Sequence, residues 1–317
     1  MEQVTAILRL MRPGDWMKNV FVLIAPLFWL AREAASGGPP DVGAKPWGIF
    51  VAFAAFCLVA SGTYCINDAI DAEQDRQHPV KRHRPVASGQ ISPATAVMFG
   101  IALMGAAVGL AATVRIALVL VVVAYVALQV AYNLALKRVA ILDITTIAAG
   151  FGLRAAAGAL AIGVALSVWL VLCVFFLCLF LGFIKRTCDL VRAEQAGSSW
   201  RSSAGYGDRA ELNLLIAMSA TLTVVMYVSY TLSSHAVGIF GPRAYGMALL
   251  TPLVLAAIHR FWRRANRGLS DSPLAALRED RVVLACVGLF TLLLAVILFS
   301  EQAKWALETL FQTEDLA

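Results

Sequence analysis

The chain is short of charge. Asp, Glu, Lys and Arg make up 15% of its 317 residues, where soluble domains approach a quarter. That shortage excludes the pair of soluble domains that length alone permits. Histidine is scarce too, with four in all. No two of His78, His83, His235 and His259 have the spacing of metal ligands on one helix face. The six cysteines form no CxxC pair, which excludes a zinc site and a disulfide framework. They fall mostly inside apolar runs, as small hydrophobes do. Segments of alternating polarity are missing, which excludes an outer-membrane barrel. A cleavable signal peptide is not expected at the start. Val4, Ile7, Leu8 and Met11 instead have helical spacing, so residues 1–18 are expected to lie on a membrane face.

What the chain has in abundance is hydrocarbon, with 60% hydrophobic residues. Apolar runs near twenty residues recur along its whole length. Each can cross about 30 Å of hydrocarbon as a helix. Nine spans are expected, near 19–34, 47–66, 92–113, 116–136, 141–162, 166–184, 210–233, 243–261 and 281–300. The expected architecture is an all-α polytopic membrane protein, one membrane domain over 1–317 embedded in the bilayer.

The net charge is +6. A basic balance can signal nucleic acid, but these cations sit in loops beside apolar runs. That placement favours membrane orientation and anionic substrates, with no nucleic-acid partner. With the N-terminus in the cytoplasm, twenty of the 26 Lys and Arg residues fall on the cytoplasmic side and five on the other, with Arg154 inside a span. Nine spans account for that asymmetry. The expected location is the cytoplasmic membrane, with the working face inward. The Gly/Pro-rich outer loop from Ala35 to Pro46 reads as flexible.

Two cytoplasmic loops, 67–90 and 185–209, read as chemistry. In the first, Asn67, Asp71 and Asp75 are spaced i, i+4, i+8. On a helix continuing past the membrane they share one stripe. Three oxygen donors on a stripe suit Mg²⁺. Asp68 stands beside them. The cations that follow, Arg76, Lys81, Arg82 and Arg84, suit phosphate oxygens. A solvated loop obeying the positive-inside rule explains the cations, but not Asp71 and Asp75. The second loop opens with Lys185, Arg186 and Asp189, which read either as membrane anchors or as phosphate ligands. Tyr132 and Lys137 close the fourth span, where such residues are ordinary interfacial anchors. Asp143 opens the fifth, where an acid suggests function. Arg154 lies roughly 16 Å deeper and must face the interior or snorkel outward. Gly150, Gly152 and Gly158 beside it allow close helix contact.

The run Asn67-Asp68-x-x-Asp71-x-x-x-Asp75-Arg76 after a second span resembles the UbiA superfamily of intramembrane prenyltransferases. More narrowly, Asp75-Arg76-x-His78-Pro79-x-Lys81-Arg82-x-Arg84-Pro85-x-Ala87-x-Gly89 resembles its polyprenyl-phosphate phosphoribosyltransferase branch. Arg12-Pro13-x-x-Trp16-x-Lys18-Asn19, the stretch from Asp143 to Arg154, and Lys185-Arg186 are similar to the same branch. Two departures stand out. The superfamily's second Asp-x-x-x-Asp motif is incomplete, since Ala193 stands four residues after Asp189. Its Tyr-x-x-x-Lys spacing is one residue longer here, between Tyr132 and Lys137.

The resemblance implies a nine-helix bundle and a phosphoribosyl diphosphate donor. It implies a polyprenyl phosphate acceptor and Mg²⁺ on Asn67, Asp71 and Asp75. Lys18, Asp68, Arg76, Lys81, Arg82, Arg84, Tyr132, Lys137, Asp143, Arg154, Lys185, Arg186 and Asp189 would be on the substrate side. It also implies association as a trimer and a place in cell-envelope polysaccharide synthesis. A prenyl diphosphate donor with an aromatic acceptor is the alternative reading. A non-enzymatic transporter or lipid-binding protein is the other, against which stands the gathering of polar residues at one face rather than the midplane.

Overall fold

A computed structural model describes residues 2–35, 43–77, 80–197, 204–206, 208–269 and 273–311. His78, Arg201 and most of the Ala35–Pro46 loop lie outside them. The described chain is helical, and no strand occurs among the described residues. In order, α1 spans Glu2–Met11, a 3-10 segment covers Pro13–Leu23, and α2 spans Ile24–Ala35. Then come α3 (Lys45–Ile70), α4 (Ala72–Gln77), α5 (Pro93–Ala112), α6 (Ile116–Leu134), α7 (Leu142–Ile162) and α8 (Val168–Gln195). They are followed by α9 (Arg209–Thr231), α10 (Ser234–Phe240), α11 (Arg243–Ala248) and α12 (Thr251–Ala265). The last are α13 (Pro273–Glu279), α14 (Arg281–Phe299) and α15 (Glu301–Phe311).

Among the described residues, eight helical stretches are long and apolar enough to cross a membrane. The expected spans find their counterparts within a few residues, with three differences. The first span, 19–34, is a composite of the 3-10 segment and α2. Pro26 has no N–H to give the Val22 carbonyl, so regular α bonding is interrupted there. The eighth is broken at residues 249–250 between α11 and α12. The sixth does not stop at 184. α8 runs on to Gln195, so nearly the first half of the expected loop 185–209 is helix. Caps fix several starts. Ser92, Ser167 and Asp208 accept from the amides of Thr95, Leu170 and Glu211, which satisfies donors a helix start leaves open.

The chain divides into two compact units. The first holds residues 1–27, 42–135 and 153–165. Its core joins Val51, Ala55, Phe56 and Val59 of α3 to Ala107, Leu118, Val122, Tyr125 and Ala157. Small residues set the spacing. A Cβ on Gly62 of α3 would stand 2.6 Å from the Gly100 carbonyl of α5, so these two backbones touch where each has no side chain. A satellite cluster of Leu10, Cys65, Ala72, Val86 and Ala96 ties α1 and the 80–91 loop to α3 and α5.

The second unit holds residues 28–41, 136–152 and 166–317. One cluster packs Phe180, Phe183 and Ile184 of α8 against Leu212, Ile216, Phe261 and Val283. Another gathers Ala31, Tyr230, Phe240, Met247 and Leu298.

Candidate active site

In the first unit α3 has 26 residues, about six more than hydrocarbon thickness requires. The surplus carries Asn67 and Asp68. A bend at Asp71 separates α3 from α4, yet the hydrogen bonding does not lapse. Asp71 N–H donates to the Asn67 carbonyl at 2.9 Å, and Asp75 N–H to the Asp71 carbonyl at 2.9 Å. Asn67, Asp71 and Asp75 therefore keep their i, i+4, i+8 register across the bend.

The carboxylates meet cations from both directions of the chain. Arg84 Nη1 donates to Asp75 Oδ2 at 2.7 Å and to Asp68 Oδ1 at 3.2 Å. Lys81 Nζ stands 3.9 Å from Asp75. Arg12 donates to Asp68. Asp68 and Asp75 are both buried, a placement carboxylates sustain only when paired. The loop after α4 makes this reach possible. Val86 is sunk in the satellite cluster, Ser88 N–H closes on the Arg84 carbonyl at 2.8 Å, and Ile91 N–H on that of Pro85 at 3.1 Å. Gly89, at φ +80°, takes the left-handed turn that glycine permits. Arg84 thus returns to acids 9 and 16 positions earlier. Arg76 bonds Glu73 at 2.5 Å and the Ala87 carbonyl at 3.3 Å. Lys81, Arg82 and His83 are exposed.

Arg12 was not singled out by its chemistry in the sequence, and the structure makes it a partner of Asp68. It sits at φ 52°, uncommon for a residue with a side chain. Such strain persists where surrounding contacts enforce it. Its guanidinium stacks 4.8 Å from the Tyr64 ring centre. Lys18 reaches the same tyrosine and pairs with Asp15 at 2.6 Å. Burial works against the Lys18 ammonium, but Tyr64 and Asp15 outweigh it and hold its pKa above the ordinary value.

Arg154 takes the inward course. It is buried, donating through Nε to Asn19 Oδ1 at 2.8 Å and through Nη2 to Tyr125 Oη at 2.9 Å. It also lies over the rings of Tyr125 and Phe56, at 4.8 and 5.7 Å. Asn19 and Tyr125 are two polar partners that sequence spacing did not reveal. Tyr132 is half-buried near the end of α6 in this unit.

The second unit has its own cluster. Asp143, fully buried at the start of α7, accepts from Arg186 Nη2 at 3.0 Å, from Tyr206 Oη and from the Ile144 amide at 2.7 Å. Tyr206 Oη in turn accepts from Ile141 N–H at 3.0 Å. Burial, and after it the Asp143 carboxylate, raise the Tyr206 phenol above its ordinary range, so it remains the donor. Ile141 is held at φ 69°, a strained conformation for a β-branched residue. The Arg186 Nε–H is buried without a partner among the described residues. Lys185 is exposed, Asp189 half-buried on α8, and Lys137 lies in the turn Leu136–Arg138.

Among the described residues no trio of His, Cys, Asp or Glu converges as a metal cluster. The expected set is different in kind, two carboxylates and an amide oxygen on one stripe. Hard oxygen donors of that sort fit a hard divalent ion such as Mg²⁺.

Residues 22–287 match the UbiA prenyltransferase family. A decaprenyl-phosphate phosphoribosyltransferase of Corynebacterium glutamicum is 33% identical over 296 residues, 91% of this chain and 86% of that one. One from Mycolicibacterium smegmatis is 38% identical over 224 residues, 71% of this chain and 69% of that one. The solved structure of a UbiA homolog from Archaeoglobus fulgidus bound to GPP and Mg²⁺ superposes with a TM-score of 0.66. It is 18% identical, and the match covers 92% of this chain and 100% of that one.

Proposed function

The chain belongs to the UbiA prenyltransferase family, and we propose that within it the protein transfers 5-phosphoribosyl from phosphoribosyl diphosphate to a polyprenyl phosphate. The observation that carries the choice of donor is on α8. Asp189 is followed one turn later by Ala193, so the second acidic pair that would serve a prenyl diphosphate is missing. Cations stand on the same helix instead, at Lys185 and Arg186. The relatives named decaprenyl-phosphate phosphoribosyltransferase, similar over most of the chain, support the same reading. The protein is an integral membrane protein, and its cation asymmetry supports a site on the cytoplasmic face of the cytoplasmic membrane.

Asn67, Asp71 and Asp75 would hold Mg²⁺, which when bound supplies positive charge to the diphosphate as it leaves. Lys81, Arg82 and Arg84 would bind phosphate oxygens, and Lys18, paired with Asp15 and Tyr64, would supply a further ammonium. Asp68 orients Arg12 and Arg84 by accepting from both. In the second unit Asp143 orients Arg186, whose guanidinium would add positive charge for a phosphate.

The C1–O bond to diphosphate breaks, and diphosphate departs with the electron pair. An oxygen of the lipid phosphate forms the new C1–O bond from the opposite face, with inversion. The attacking phosphate is already an anion at neutral pH, so the chain need supply no general base. Its task is to position two polyanions and offset their repulsion.

The test is to incubate purified protein with Mg²⁺, a polyprenyl phosphate and phosphoribosyl diphosphate labelled in the ribose. Label in the lipid fraction is expected, lost in Asp71→Ala. Absence of labelled lipid, with product formed from a prenyl diphosphate, would overturn the proposal.

A further inference from the structure

At the cation-rich end of α12 and α14, in the second unit, lies a cavity of about 230 Å³ that the proposed reaction does not use. Its frame is a buried acid. Asp280 accepts from Arg260 Nε at 2.8 Å and Arg264 Nη1 at 3.2 Å. It also caps α14 through the amides of Val282 and Val283, at 2.9 and 3.3 Å. Arg264 has Glu279 at 2.7 Å and the Leu269 carbonyl at 2.7 Å as further acceptors. Both acids lining the cavity are thus spent on these two arginines.

Three more arginines line the same space. Arg263, Arg267 and Arg281 are exposed. Among the described residues no acid stands within ion-pair distance of any of them. The positive-inside rule accounts for cations at helix ends. It does not call for five guanidiniums gathered round one cavity on a buried carboxylate. The cavity is also bounded by apolar side chains, Leu269 and Val282, each about half exposed. From Arg281 and Val282 an outward stripe descends α14 through Leu289, Leu292, Val296 and Phe299, all exposed. That spacing is one face of a helix, and its surroundings in a bilayer are hydrocarbon.

We propose that this cavity binds the phosphate headgroup of an anionic membrane phospholipid. The lipid's phosphate sits among Arg263, Arg267 and Arg281, and its acyl chains lie along the α14 stripe. Guanidinium forks suit phosphate oxygens, and basic pockets between helices on the cytoplasmic side favour anionic lipids. A free phosphate would use the arginines but leave the apolar wall without a role.

The experiment measures thermal unfolding of the full chain in neutral detergent. Titrants are short-chain phosphatidylglycerol, short-chain phosphatidylcholine and inorganic phosphate. Phosphatidylglycerol alone should raise the melting temperature. The variant Arg263→Gln/Arg267→Gln/Arg281→Gln should need roughly a hundredfold more of it, at about one cation's worth of attraction per substitution. Equal responses to both lipids, an undiminished response in the variant, or an equal response to inorganic phosphate would each overturn the proposal. Should the triple variant fail to fold, Arg263→Gln and Arg267→Gln made singly must each weaken the phosphatidylglycerol response, or the proposal falls.

Discussion

Arg84 is the residue on which the first cluster turns, because one guanidinium nitrogen serves two buried acids, Asp75 and Asp68. A lysine keeps the charge but not the planar fork. Arg84→Lys should lower the rate of labelled-lipid formation by about tenfold to a hundredfold, measured in single turnover, while leaving the protein folded. Such partnerships were the part of the site least legible in the sequence. The acids and cations could be named from their types and spacing. Which would meet which could not, because Arg12 and Asp68 are 56 positions apart and Arg154 and Asn19 are 135 apart. No local period encodes contacts of that range. Arg154 illustrates the point: depth along a helix could be read, and the choice between interior and interface could not.

The helices were legible where hydropathy alone decides. α5, α6, α7 and α14 begin and end within a residue or two of the expected spans. Two of the misses have local causes, a proline at 26 in the first span and a charged extension of α8 that carries the helix beyond the apolar run. Close packing between elements is open to a direct check. Gly62→Val would drive side-chain atoms into the Gly100 backbone. It should cost about 1–3 kcal/mol, seen as a lower melting temperature with no change in bound substrate contacts. The junction before α14 should respond to acid. Burial raises the Asp280 carboxyl, but donation from Arg260, the Val283 amide, Arg264 and the Val282 amide outweighs it and holds the group at about 2. A pKa below the ordinary 3.8 means stability present above that value and lost as pH falls through about 2. Asp280→Asn should therefore melt at a lower temperature than the parent at pH 6. The gap should close progressively below pH 4.

The molecule as a whole is a polytopic helical chain, and the uneven distribution of its cations between alternate loops of the sequence predicts its orientation. In a background without Cys173 and Cys286, a cysteine placed at the exposed Arg82 should react with an impermeant maleimide in inside-out vesicles. It should stay unreactive in right-side-out ones; the reverse result would put the site on the opposite face. The unbroken course of α8 adds something about the bilayer itself. Its apolar part, Val168–Ile184, is about 25 Å long at 1.5 Å per residue, whereas an average hydrocarbon core is near 30 Å. Lys185 and Arg186 follow at once on the same rigid rod, so no hinge lets them rise if the membrane thickens. A span this short meets thicker hydrocarbon by local thinning of the lipid or by stretching the Lys185 and Arg186 side chains toward the surface, at a cost of fractions of a kcal/mol per Å. The protein should accordingly work best in bilayers of shorter acyl chains. Turnover in vesicles should decline as acyl length grows at fixed headgroup, which makes membrane thickness a control on the enzyme that acts through no binding site.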